Sequence, residues 1–109
     1  MNNAHDTLAA IIGGPANQTD VLVLNAASEL DRLREALSWN ADQLAKRLTS
    51  FAKEVRNGGA PATAPTASSL VNDIAAQTAQ LRTVEDNLIG MLHTLYGHDV
   101  LKQFRDAMA

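Results

Sequence analysis

The residues of this chain best suited to chemistry are His5, His93 and His98, the adjacent acids Glu85 and Asp86, and the stretch Gly13-Gly14-Pro15. A metal centre needs three or four ligands converging on one point. No His-x-x-x-His or Glu-x-x-His pair occurs, and His93 has no acid four residues before or after it. Asp99, beside His98, is explained by a helix start. Two carboxylates tuned for acid–base work require burial that separates their pKa values, and sequence neighbours on one helix such as Glu85 and Asp86 do not indicate it. Gly13-Gly14-Pro15 lacks both the following Lys and the preceding strand of a phosphate-binding loop. There is no Ser-centred nucleophile elbow. With no cysteine, thiol nucleophiles, disulfides and thiolate metal sites are excluded as well. The expectation is a protein that is not an enzyme and uses no metal or cofactor.

Composition bounds what else the chain does. Its 109 residues suit one small domain, and 46% of them are hydrophobic. Nineteen of the apolar residues, however, are alanine, and the aromatics are only Trp39, Phe51, Tyr96 and Phe104. Alanine favours helix but adds little apolar area when buried. Helices should form readily around a thin core, which makes self-association a natural source of further burial. A net charge of −3 argues against nucleic-acid binding. No run approaches the ~20 apolar residues that span a bilayer, and residues 1–16 carry no Lys or Arg before Leu8-Ala9-Ala10-Ile11-Ile12 of the kind a signal peptide has. A soluble, cytoplasmic protein with no membrane association is expected.

The elements that must position any surface are helical throughout. Residues 1–18 read as a flexible arm closed by Gly13-Gly14-Pro15. A first long helix is predicted over 19–57, opened by Thr19-Asp20 and closed by Asn57-Gly58-Gly59. Its stripe is Val23, Ala26, Leu30, Leu33, Leu37, Ala41, Leu44, Leu48, Phe51 and Val55, with steps of three and four throughout. Such a helix would be about 57 Å long, too long for a compact globule of this size. A loop over 58–67 holds Pro61 and Pro65. Ser68 or Ser69 then caps a second helix, 68–96, with Leu70, Ile74, Leu81, Leu88, Leu92 and Leu95 as its stripe and Gln77 or Thr78 interrupting it. Gly97 terminates it, and Asp99 caps a short helix over 99–108 whose face is Val100, Leu101, Phe104 and Met108. The fold class is therefore all-α: a flexible arm, then one helical domain over 19–109. That domain is a long antiparallel hairpin with a short third helix, completed into a larger bundle by dimerisation.

Function is then sought on the faces such a scaffold leaves outside. With Leu37 at zero on a wheel of 100° per residue, Trp39 falls near about 200°, away from the stripe. Arg32, Glu35, Asp42 and Lys46 surround it there. An outward tryptophan suggests a contact with another chain, or else cover by Leu8, Ile11 and Ile12 of the arm. From Ser68 to Leu81 the second helix has only Asp73 as a charge, and Ala75, Ala76 and Ala79 lie opposite its leucines, a face another helix can approach closely. Charge divides along the chain. Residues 1–42 hold six acids against Arg32 and Arg34, while residues 46–56 hold Lys46, Arg47, Lys53 and Arg56 against Glu54, largely as helix dipoles favour.

The expected function is a non-catalytic interaction module, an adaptor or an inhibitor that occupies a partner protein's surface. It is expected to be homodimeric, with Trp39, Arg32, Glu35, Lys46, Ala75, Ala76 and Ala79 as contact residues. The alternatives are a chaperone-like or secretion-related bundle holding a substrate along the alanine face and, more weakly, a small metal- or ligand-binding bundle.

Overall fold

The computed structural model describes residues 3–58 and 64–109. Four helices account for almost all of them: α1 (Ala4–Ile12), α2 (Gln18–Arg56), α3 (Ala64–Tyr96) and α4 (His98–Met108). There is no strand among the described residues, and none of the helices is long and apolar enough to cross a membrane. The chain divides into two compact units, Met1–Leu33 with Leu81–Ala109, and Arg34–Gln80.

The first unit begins where the sequence suggests a flexible arm, and this is the largest departure from that expectation. Residues 4–12 are helix α1, and side chains from both ends of it are wholly buried, Ala4 and Leu8 at 0% exposure. A nine-residue helix is too short to persist alone in water, so its ends are tied down. Asn3 caps it, its side-chain oxygen accepting from the Asp6 N–H at 2.7 Å. Asp31, far along the chain on α2, accepts from the N–H groups of Ala4 at 2.7 Å and His5 at 3.0 Å. Three of the four donors that a helix N-terminus leaves unpaired are satisfied in this way. Gly13, with φ of 80°, supplies the left-handed residue that ends the helix.

Helix α2 is capped by Asn17 rather than by Thr19. The Asn17 side-chain oxygen accepts from the Asp20 N–H at 2.9 Å, and the Asp20 carboxylate accepts from the Ala16 N–H at 2.9 Å, a reciprocal box. The core of this unit draws on all four helices: Leu8 from α1, Val23, Leu24, Ala27 and Leu30 from α2, Leu88 and Leu92 from α3, and Leu101 and Phe104 from α4. Helices α1 and α4 pack directly on one another. Gly97, with φ of 87°, ends α3 and starts α4, so Asp99 does not act as the cap; it lies in the first turn, where its charge still suits the dipole.

The second unit holds the later part of α2 and the earlier part of α3. The loop expected over 58–67 falls partly outside the described residues, at 59–63, and its last residues are already helix. Ser68 and Ser69 are therefore interior, exposed helical residues and not caps. Pro65 sits in the first turn, where a missing N–H costs nothing. Asn40 donates to the Gln77 side-chain oxygen at 2.8 Å. Gln77, which breaks the apolar stripe in the sequence, has a polar partner there. Of the long stripe on α2, Leu37, Leu44 and Phe51 are half-buried, whereas Ala41, Leu48 and Val55 are exposed. Ala67 alone among the described residues of this unit is buried.

Leu8 decides between an arm and a structural helix. Leu8→Ala should cost about 2–5 kcal/mol in urea unfolding, the range for emptying a full leucine site. A loss within about 0.5 kcal/mol, typical of surface positions, would return residues 4–12 to a loosely attached arm.

Candidate functional site

The groups most strongly perturbed in their titration are Asp20 and Tyr96, a pair that sequence reasoning missed because its members lie 76 residues apart. The Tyr96 hydroxyl donates a very short hydrogen bond to Asp20 Oδ1, joining the first turn of α2 to the last turn of α3. Burial, together with that bond to the carboxylate, pushes the Tyr96 hydroxyl up to about 12. The Tyr96 hydroxyl, with help from the Ala16 and Asn17 backbone, holds Asp20 below the usual carboxylate value. A tyrosine harder to ionise and a carboxylate harder to protonate are the reverse of an acid–base pair poised near neutrality. The arrangement is a clamp between helices.

Elsewhere the titratable groups are engaged in local pairs. His5 Nδ1 lies 3.0 Å from Asp6 Oδ1 at the surface, and this contact lowers the Asp6 pKa. Glu29 and Arg32 form a two-bond pair that lowers the glutamate and raises the arginine. His93 and His98 are exposed. No three or more His, Asp or Glu side chains gather as a metal site among the described residues. In the first unit an open cleft of about 340 Å³ lies beside Asp6, Thr7, Ala10, Ile11 and Ala107. Thr7 Oγ1 is buried there without a hydrogen-bond partner.

The expected contact residues divide between the two units. Trp39 is 63% exposed, as its position on the wheel requires, and Glu35 and Lys46 are exposed in the same unit. The arm does not account for the tryptophan: Leu8 is in the first unit's core, with Ile11 and Ile12 packed against it. Arg32 belongs to that first unit and is held by Glu29. Ala75, Ala76 and Ala79 are exposed on α3. Three large apolar side chains join Trp39 on the surface of the second unit: Leu48 at 50%, Val55 at 52% and Val71 at 50%. Leu48 and Val55 were legible as apolar positions but were assigned to the core.

Comparison of the chain with protein-family models, with curated proteins and with solved structures returned no match.

The Asp20–Tyr96 clamp has a definite pH signature. Asp20 is lowered, so its contribution is complete above the unfolded value near 3.8 and is lost as pH falls through the folded value. Tyr96 is raised, so its contribution is complete below 10 and is lost as pH rises toward about 12. Tyr96→Phe should lower the melting temperature at neutral pH by about 5 °C, the equivalent of one hydrogen bond in a domain of this size. It should also abolish the loss of stability between pH 10 and 12. Because the chain has one tyrosine, tyrosinate absorbance reads the shifted titration directly. An inflection near 10 in the folded protein would contradict the clamp.

Proposed function

We propose that the protein is a non-catalytic interaction module, an adaptor or an inhibitor that acts by covering a partner protein's surface with its helix faces. The observation that carries this reading is Trp39, the sole tryptophan, 63% exposed on a helix. Tryptophan has a large apolar area and one N–H donor, and it is concentrated at the centres of protein interfaces. Glu35 and Lys46, exposed within two helical turns of it, supply charges of both signs that can orient a partner.

The same reading takes α2 and α3 as an antiparallel hairpin, with α4 as its short third helix. The Asp20–Tyr96 and Asn40–Gln77 bonds, one in each unit, support that pairing. It also includes self-association and a cytoplasmic setting. A chaperone-like or secretion-related role is the second reading, favoured by the exposed Ala75 and Ala76 on a nearly uncharged stretch of α3.

Two variants test the reading together. With a photo-crosslinking benzoylphenylalanine in place of Trp39, one discrete adduct to another chain should form in the cells that make the protein. Trp39→Ala should keep wild-type helicity and melting temperature in dilute solution yet no longer co-purify with that chain. A melting temperature lower by several degrees would make Trp39 a packing residue. Absence of any adduct would remove the interaction role from this face. If Ala76→Glu, and not Trp39→Ala, releases the captured chain, the alanine-face reading replaces the first.

A further inference from the structure

The second unit has a face that neither its own helices nor the tryptophan accounts for. On α2, measured from Leu44 at 100° per residue, Val55, Leu48, Ala52 and Ala45 fall at about 20°, 40°, 80° and 100° to one side. All four are exposed, and the two large ones are half in water. Every charged residue between Ala41 and Val55, namely Asp42, Lys46, Arg47, Lys53 and Glu54, lies outside that arc. On α3, measured from Ile74, the exposed Val71 and Ala75 fall at about 60° and 100° in the same rotational sense, and Asp73 lies on the other side. Helix α2 ends at Arg56 and α3 begins at Ala64, a connection short enough to make neighbouring helices antiparallel. In an antiparallel pair, arcs of one rotational sense fall on one flank. The six residues therefore form a continuous uncharged flank, and Trp39, about 140° from Leu44 in the opposite sense, stands on the other.

We infer that this flank is the self-association surface, on which a second copy of the chain docks to complete a four-helix layer. The inference rests on the interaction role and the antiparallel pairing proposed above, and it names the surface and the occupant. Two observations select a second copy over an unrelated partner. A two-fold contact lays a patch on itself, so each charge in it would meet its own kind nearby; this flank has none, whereas surfaces for unlike partners are matched by opposite charge. The unit also lacks burial of its own: Leu37, Leu44, Phe51, Leu70 and Ile74 are only half-buried, and Ala67 is the one buried residue described there. Alanine at positions 45, 52 and 75 lets helix axes approach to about 8 Å, which would close over those side chains. The flank spans roughly 22 Å of helix and two helices in width, about 900 Å² over both copies. That is below the usual size of stable interfaces, so the dimer is a weak one.

Sedimentation equilibrium on the full chain, from about 1 μM to 1 mM, tests it. The expected result is a monomer that becomes a dimer with a midpoint of about 10–100 μM, the affinity range of small interfaces. Leu48→Glu and Ala45→Arg replace exposed side chains, so helicity should be unchanged while association weakens at least about ten-fold. Trp39→Ala should dimerise as the wild type does. A wild type that stays monomeric at the highest concentration overturns the inference, as does a dimer indifferent to both flank variants. A dimer broken by Trp39→Ala alone would move the contact to the tryptophan side. A monomer that still forms the adduct at position 39 defeats this inference and leaves the interaction role standing, and a dimer without the adduct does the reverse.

Discussion

A helix can bury its apolar stripe only as far as other helices surround it, and the burial pattern of this molecule follows from that constraint. An amphipathic stripe is roughly 100° wide, and one neighbouring helix covers only part of it. Where four helices meet, Leu8, Val23, Leu30, Leu88 and Leu92 reach near-complete burial, each contributing on the order of 1.5–3 kcal/mol relative to exposure. Where two helices meet, residues of the same stripe, such as Leu44 and Phe51, are half-buried and Leu48 and Val55 are exposed. The free energy that orders the chain is thus concentrated in Met1–Leu33 with Leu81–Ala109. The helical turns of Arg34–Gln80 should open locally at lower cost than that core.

Polar contacts finish what the apolar core begins, and each has a distinct task. Asp31 satisfies donors at the start of α1 and so holds a short helix against the body of the protein. Asp20 works in two directions: one carboxylate oxygen accepts from the Ala16 N–H in the α2 cap, and the other accepts from Tyr96. Asn40 and Gln77 satisfy one another between α2 and α3. An unpaired amide there would carry a desolvation penalty of about 1–3 kcal/mol, so the pair favours the alignment of the two helices in which both amides meet.

What the sequence made legible, and what it hid, divides along the same lines. Steps of three and four from Val23 to Val55 located α2 to within a residue at each end, because periodicity records which side chains share a face. It does not record whether anything covers that face, so Leu48 and Val55 were placed in a core that two helices cannot build. Helix α1 was hidden for the converse reason. Gly13-Gly14-Pro15 correctly marked a break, but the residue that holds α1 in place, Asp31, lies beyond that break and has no local signature. The α3 start was misplaced because Ser68 and Ser69 resemble caps, while Ala64 and Pro65 suit a first turn equally well. Trp39 was read correctly as outward because one wheel angle suffices for a side chain so far from the stripe. The uncharged flank could not be read in this way, since it depends on which side of each stripe the partner helix leaves open.

The two flanks of the second unit differ in a way that bears on how such a protein would work. Around Trp39 stand charges of both signs, and charged rims chiefly govern encounter rate and the choice of partner. The Leu48–Val71 flank has no charge of its own, so it offers little discrimination and little long-range attraction. It suits a contact whose partner is always present at the protein's own concentration, which a second copy is by definition. A weak contact there would double the number of Trp39 faces on one assembly. Two linked sites strengthen binding through effective concentration without any new contact, provided the target presents both surfaces within reach. In the proposed reading, then, the thin core is part of how the module works. The burial that two helices cannot supply alone is supplied by the copy that makes the module bivalent.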